Sequence, residues 1–133
     1  MANPFMGTWK LNTGKSKLAK GTDRNNTVSY DWAFFRVKVT IDGTGPHGTP
    51  THSEWIGNFD GREYPVTGDA MSDARIYRQV DEHTMDFWQK KGGKVTLSGR
   101  ILVAPDGKSR TVTAWGRNGK GKRVKTVAVY DKV

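Results

Sequence analysis

The stretch Arg36-Val37-Lys38-Val39-Thr40-Ile41-Asp42 alternates strictly between apolar and polar residues. A period of two places successive side chains on opposite faces of a β-strand, so this strand has one apolar and one polar face. Lys94-Val95-Thr96-Leu97-Ser98 has the same pattern, and Thr111-Val112-Thr113-Ala114 repeats it more briefly. The sequence therefore predicts an all-β protein built from half-buried strands.

Turn-forming pairs follow one another at short intervals along the chain: Asp42-Gly43, Asp60-Gly61, Gly92-Gly93, Asp106-Gly107 and Asn118-Gly119. Between such turns we predict strands near residues 6–11, 27–32, 35–42, 51–59, 62–66, 74–80, 84–91, 93–103, 109–116 and 123–131. A meander of this length avoids exposed edges most simply by closing on itself. We therefore expect residues 1–133 to form a single domain, an antiparallel up-and-down β-barrel of eight to ten strands, with a β-sandwich as the alternative. One helical turn is predicted between Lys15 and Lys20.

The composition limits the chemistry of the chain. The sequence has no cysteine, which excludes disulfides, thiolate catalysis and Cys-ligated metal sites. The net charge of +9 attracts acidic partners. No apolar run approaches the roughly 20 residues of a membrane span, and residues 1–5 lack the pattern of a signal peptide. We expect a soluble protein, either cytoplasmic or exported after loss of a signal peptide.

Several phrases of the sequence carry a family resemblance. The opening Phe5-Met6-Gly7-Thr8-Trp9-Lys10-Leu11-Asn12 is similar to the first strand of lipocalins, and later phrases at residues 37–40, 51–54, 60–68, 90–95 and 127–131 resemble small bacterial lipocalin-like (calycin-type) proteins. The resemblance implies a barrel whose closed end holds the Gly-x-Trp motif, and it implies little about function. In lipocalins an arginine from the last strand covers that indole, and here Arg123 and Tyr130 are the nearest substitutes.

Two groups of residues are candidates for a site inside the barrel. A histidine titrates near neutrality, and arginine and tyrosine side chains bind carboxylates or phenolates, so we predict acid/base or anion-binding roles for one group. Its members are His52, Tyr64, Arg75 and Tyr77. The second group supplies aromatic faces and one further cation for contact with a ligand. Its members are Trp32, Phe34, Trp55, Trp88, Arg100 and Trp115.

Other motifs lack the context that their chemistry requires. Gly43-Thr44-Gly45-Pro46-His47-Gly48 matches a dinucleotide-binding pattern, but a strand follows it instead of a helix, so we interpret it as a hairpin loop. Residues 116–122 are interpreted as a turn with a positive rim for the same reason. The three histidines are too scattered for a metal triad, so we predict no metal and no cofactor, with a haem on a lone histidine as a less favoured alternative.

The leading hypothesis is a protein that binds one small, partly aromatic or apolar organic molecule in a β-barrel cavity. The alternative is a cofactor-free lyase, dehydratase or isomerase that acts on such a molecule in the same cavity by acid/base chemistry. Nucleic-acid binding is less favoured, because single-strand-binding barrels display their aromatic residues on an exposed face. We expect a monomer or a homodimer.

Overall fold

The described residues form a closed, ten-stranded antiparallel β-barrel in a computed structural model that covers residues 3–117 and 120–133. The prediction of an all-β, up-and-down barrel is thus confirmed. The strands are β1 (Gly7–Lys17), β2 (Arg24–Ala33), β3 (Arg36–Thr44), β4 (Pro50–Gly57), β5 (Asp60–Thr67), β6 (Ala74–Gln79), β7 (Thr84–Lys91), β8 (Lys94–Val103), β9 (Ser109–Arg117) and β10 (Arg123–Lys132).

Each strand pairs with its neighbour in the sequence, and β1 also pairs with β10 to close the ring. The closing ladder brings Trp9 opposite Lys132 and Leu11 opposite Tyr130. Closure leaves no free sheet edge among these strands, and it distinguishes the fold from the alternative β-sandwich.

The prediction of a helical turn between Lys15 and Lys20 is wrong. β1 continues to Lys17, and its register against β10 shifts between Asn12 and Lys17. The Ser16 hydroxyl accepts a hydrogen bond from the Val129 amide at 2.8 Å and donates one to the Asn12 carbonyl at 2.7 Å. These bonds hold the irregular end of β1 on the sheet. The short polar residues of this segment do not have the alternating pattern from which a strand could have been predicted.

The loops follow the turn chemistry of the sequence. Residues 45–49 join β3 to β4, and the Gly45 amide donates to the Thr49 carbonyl at 2.7 Å, which confirms the hairpin interpretation of the glycine-rich segment. Residues 118–122 lie between β9 and β10, and 118 and 119 are outside the described residues.

Alternation along the strands separates the interior of the barrel from its surface. In β3 the apolar residues Val37, Val39 and Ile41 are all buried, as the alternation of residues 36–42 predicts. Their counterparts on other strands form one continuous core. It includes Trp9, Val28, Tyr30, Trp55, Val66, Tyr77, Phe87, Ile101, Ala128 and Tyr130.

The two ends of the barrel differ. Trp9 lies near the start of β1, and its indole donates a hydrogen bond to the Phe5 carbonyl at 3.0 Å; both side chains are fully buried. We call this the closed end. At the opposite end, the open end, Val112, Ala114 and Leu97 pack against the core and yet stay partly exposed. Inward-facing side chains toward the open side are therefore within reach of solvent.

Arg110 of β9 is the arginine that covers the Trp9 indole, so the assignment of Arg123 and Tyr130 as its substitutes is corrected. The Arg110 guanidinium carbon lies 5.3 Å from the Trp9 ring centroid, 5.3 Å from Tyr30 and 4.5 Å from Tyr130. Its Nη1 also donates to the Tyr30 hydroxyl at 2.7 Å. Tyr130 does take part, but as one of the rings around the cation; Arg123 is exposed at the opposite end of β10.

We expect Arg110→Ala to lower the free energy of unfolding by about 3 kcal/mol, since it removes the cation from three rings and leaves the Tyr30 hydroxyl without its donor. Equilibrium unfolding in urea measures the change. Arg123→Ala, an exposed arginine on the adjacent strand, is the control and should change stability by less than about 0.5 kcal/mol. Equal losses in the two variants would contradict the role given to Arg110.

Candidate functional site

Arg75 places a positive charge in the barrel interior. It lies on β6 two residues before the inward-facing Tyr77, and its side chain is almost completely buried. Nη2 donates to the Ser53 hydroxyl of β4 and to the Asp69 carboxylate, each at 3.0 Å. Nε and Nη1 are buried without a hydrogen-bond partner among the described residues. A buried guanidinium therefore has acceptors for only part of its donor set.

Asp69 supplies the counter-charge from the loop between β5 and β6. Gly68 turns the chain there with a φ of 83°, and a Cβ at this position would lie 2.3 Å from the His52 carbonyl oxygen. The Asp69 carboxylate accepts hydrogen bonds from the Ser72 hydroxyl, the Met71 amide and Arg75. Burial raises the pKa of the Asp69 carboxyl, but these hydrogen bonds together with the charge of Arg75 lower it below its ordinary value overall.

An aromatic wall adjoins Arg75. The Trp55 indole donates to the Arg75 carbonyl at 3.2 Å, which ties β4 to β6 across the interior. Tyr77 meets Trp55 edge to face with ring centroids 4.7 Å apart, and Phe87 lies 6.3 Å from Tyr77. The edge-to-face contact of Trp55 and Tyr77 is a preferred geometry of aromatic pairs, and Phe87 packs beside it with its ring tilted 36° to that of Tyr77.

Tyr77 is a hydrogen-bond donor at neutral pH. Burial is the main cause that raises the pKa of its hydroxyl to about 12, and the nearby Arg75 charge opposes that effect only in part. A phenol with this pKa stays protonated under physiological conditions. Its chemistry here is to donate a hydrogen bond or to fill space, since it has no tendency to accept a proton.

Tyr64 belongs to the same cluster from the side of β5. Its ring meets Trp55 edge to face at 5.5 Å, and its hydroxyl donates to the Asp60 carboxylate at 2.7 Å. Gly57 allows this approach, because a Cβ there would lie 2.5 Å from the Tyr64 ring. The hydroxyl is thus engaged near the closed end, while the ring supports the aromatic wall.

His52, the fourth predicted acid/base residue, lies on the outer face of β4. Its Nδ1 is 2.5 Å from the Asp42 carboxylate and its Nε2 is 3.0 Å from Glu54, which also pairs with Lys38 at 2.9 Å. Hydrogen bonds with Asp42 first, and then with Glu54, raise the pKa of His52. The inward neighbour Ser53 fixes this orientation, since adjacent residues of a strand face opposite ways.

The predicted ligand-contacting residues are also divided between the barrel interior and its outer surface. Trp55 is inside, whereas Arg100 is on the surface, where its Nε donates to the Asp86 carboxylate at 2.6 Å. Trp88 lies under the Arg78 guanidinium at 5.8 Å, and Trp115 lies under Lys125 at 5.9 Å. Trp32 and Phe34 are exposed at the β2–β3 turn. The interior cluster therefore unites Arg75, Tyr77, Tyr64 and Trp55, and the other six predicted residues lie outside it.

Some residues of the cluster were not foreseen. Asp69 and Ser72 lie in a loop whose Gly68-Asp69 pair is a recognisable turn, but the sequence alone does not show that the carboxylate folds back onto Arg75. Ser53 lies on the same face of β4 as Trp55, and Phe87 lies on the same face of β7 as Met85. Knowledge of which face points inward would therefore have identified both residues.

A groove lies at the rim of the open end, on β8, β9 and β10. Its volume is about 180 Å³, and it is lined by Val95, Thr96, Leu97, Ser98, Trp115, Gly116, Arg117 and Arg123. Two arginines and a tryptophan give this rim a cationic and aromatic surface. It lies next to the partly exposed inward residues of the same strands.

Within residues 3–117 and 120–133, no group of three or more His, Cys, Asp or Glu side chains is placed to hold a metal ion. That part of the chain also contains no helix long and apolar enough to cross a membrane.

No protein-family model matches the chain, and no curated protein matches it significantly. The class of protein is therefore defined by the fold, a closed ten-stranded antiparallel up-and-down β-barrel. This barrel contains two buried arginines. Arg110 is surrounded by aromatic rings at the closed end, and Arg75 is paired with Asp69 farther toward the open end.

We expect the His52 pKa to lie above that of an unconstrained histidine and to fall in the Asp42→Asn variant, which removes the first of its two acceptor charges. Titration of the His52 ring resonances by NMR measures both values. The protonated ring stabilises the fold at low pH, and this contribution disappears as pH rises through the folded-state pKa. An unchanged pKa in Asp42→Asn would contradict the pairing.

We expect Asp69→Asn to reduce stability by about 2 kcal/mol at pH 7, since it leaves the Arg75 guanidinium without its counter-charge. The folded-state pKa of Asp69 is lowered, so its stabilising effect is present above the unfolded-state pKa and is lost as pH falls through the folded-state value. The difference between wild type and variant in urea unfolding should therefore shrink under acid conditions.

The exposed Asp106→Asn in the β8–β9 turn is the matched control, with little expected effect at any pH. A difference between wild type and Asp69→Asn that stays constant as the pH is lowered would show that the carboxylate charge is not the cause.

Proposed function

We propose that the barrel binds a small organic molecule with an aromatic or apolar body and an anionic group, and that this group is held by Arg75. The observation that carries the proposal is the buried guanidinium, only 2% exposed, whose Nε and Nη1 have no partner among the described residues. Leaving a charged donor buried without an acceptor costs about 3 kcal/mol. A carboxylate or phenolate oxygen from a ligand would supply the missing acceptor.

The surroundings of Arg75 support an aromatic or apolar body. Trp55, Tyr77 and Phe87 form a wall next to the guanidinium, and Tyr77 keeps its proton and can donate a hydrogen bond to an anion. Cavities that hold organic ligands combine such apolar walls with a few orienting polar groups. The resemblance to lipocalin-like proteins agrees with this use of a barrel interior.

The route to this site is from the open end. Val112 and Ala114 face inward and are partly exposed there, and Gly116 and Leu97 continue that face toward the rim. The rim itself carries Arg117 and Arg123, and the whole chain has a net charge of +9. A positive potential at the entrance raises the local concentration of anionic ligands and their rate of association.

Binding is favoured over catalysis by the positions of the predicted acid/base residues. His52 is on the outer face, ion-paired with Asp42 and Glu54, and Tyr77 has a pKa of about 12. Neither provides a base inside the barrel near neutral pH, which an acid/base lyase or isomerase needs. The Asp69 carboxylate beside Arg75 is engaged by the Met71 amide, the Ser72 hydroxyl and Arg75, and its lowered pKa makes it a weak base. The interior cluster is therefore better suited to orienting a ligand than to moving its protons.

The test uses matched pairs of ligands: benzoate, phenylacetate and indole-3-acetate, each with its neutral amide. Binding is followed by isothermal calorimetry and, for the ligands that do not absorb with the protein, by tryptophan fluorescence. At least one acid should bind saturably and roughly tenfold or more tightly than its amide, because only the acid forms a charge-assisted hydrogen bond with Arg75. Mass spectrometry should recover the ligand unchanged.

Arg75→Gln should remove this preference for the acid, and Arg75→Lys should keep part of it. Arg100→Gln is the control, since that arginine lies outside the barrel and pairs with Asp86. Each variant is first checked by circular dichroism and thermal unfolding. Equal affinities for acid and amide, or an acid preference that survives in a folded Arg75→Gln, would refute the proposal, and a new product mass would favour the enzyme alternative.

A further inference from the structure

The turn between β2 and β3 exposes two phenylalanines almost completely. Ala33 pairs with Arg36, so Phe34 and Phe35 form a two-residue turn, and they are 98% and 96% exposed. Trp32, two residues before Phe34 on β2, is 64% exposed. We call Trp32, Phe34 and Phe35 the aromatic tip. Exposed apolar side chains scattered singly are ordinary, but three large aromatic residues at one protruding turn are not.

The backbone at the tip is strained as well. Phe34 has a φ of 60°, and it is the only described non-glycine residue with a positive φ. Two-residue hairpins favour glycine or asparagine at such a position, because a side chain there crowds the backbone. The fold therefore gains nothing from phenylalanine at residue 34. Strain of this kind at an exposed position indicates a function other than folding.

One exposed cation, Arg36, directly adjoins the tip, whereas the exposed Asp31, which precedes Trp32, lies opposite Lys38 of β3. Arg36 is exposed next to Phe35, and its guanidinium carbon lies 5.7 Å from the centroid of the Tyr64 ring; among the described residues it forms no ion pair with a carboxylate. The whole chain carries +9. A convex aromatic point with an adjacent cation, on a positively charged body, is complementary to a soft apolar layer covered by negative charge.

We propose that the aromatic tip docks the protein on an anionic lipid bilayer. Phe34 and Phe35 enter the boundary between headgroups and acyl chains, Trp32 lies at headgroup level, and Arg36 contacts lipid phosphates. The strands below the turn keep their backbone hydrogen bonds, so only side chains need to enter the apolar layer. This surface is separate from the barrel interior, and the proposal does not depend on ligand binding.

Binding is measured by co-sedimentation of the full chain with vesicles of phosphatidylglycerol and phosphatidylcholine in equal parts, and with vesicles of phosphatidylcholine alone. We expect binding to the anionic vesicles that weakens as salt is added, together with a blue shift of tryptophan emission. Trp32→Phe should abolish most of the blue shift while it preserves sedimentation, which assigns the signal to the tip.

Phe34→Gly with Phe35→Ser should weaken binding to the anionic vesicles at least tenfold. The same double variant should unfold at a higher temperature than wild type, because glycine relieves the strain at residue 34. A loss of binding therefore cannot be assigned to misfolding. Val95→Ser, at an exposed apolar position on the β7–β8 hairpin of the opposite end, is the matched control and should bind like wild type.

Three outcomes would overturn the proposal. The first is no binding to anionic vesicles, and the second is binding that the double variant retains. The third is self-association of the wild type in sedimentation velocity that the double variant abolishes, with no vesicle binding, which would assign the tip to contact with a second copy of this chain.

Discussion

The contact of Arg110 with Trp9, Tyr30 and Tyr130 holds the ring of strands together. These four residues come from β9, β1, β2 and β10, so the contact spans the seam where the first and last strands of the meander meet. A seam closed by residues more than a hundred positions apart has a large entropic cost, and a buried cation between three ring faces offsets it. Burial raises the pKa of Tyr130 to about 12, which keeps this ring a neutral phenol.

The same barrel treats its second buried arginine differently. Arg75 has a carboxylate and a hydroxyl on one nitrogen, and its buried Nε and Nη1 have no partner among the described residues. Arg110 has three rings and a hydroxyl, and among the same residues its buried Nε has no partner. Both ions are taken out of water, so each needs compensation. At the closed end the compensation comes from three aromatic faces and a hydroxyl; toward the open end it comes from one carboxylate and one hydroxyl.

The fold could be predicted from the sequence to a large extent, because a period of two and closely spaced turns are local signals. Val37, Val39 and Ile41 face inward as their alternation requires. The site could be predicted only in part, since the inward face of each strand depends on register and closure, which are not local. Arg75, Tyr77 and Trp55 converge, but His52 is one residue away from the inward Ser53 and therefore lies outside. Arg110 was missed because the resemblance directed attention to the last strand, whereas the covering arginine comes from β9.

The aromatic tip and the open end lie at opposite ends of the barrel axis, since the β2–β3 turn adjoins the start of β1 whereas the β8–β10 rim lies at the other end of those strands. A barrel held on a bilayer by this tip would stand with its entrance directed into the water. Its ligand would then be exchanged with the aqueous phase. The lipid layer would determine where the protein is located, and it would not supply the ligand. Occupancy of the interior and residence on the surface would vary independently, so one molecule could load or unload many times without leaving the membrane.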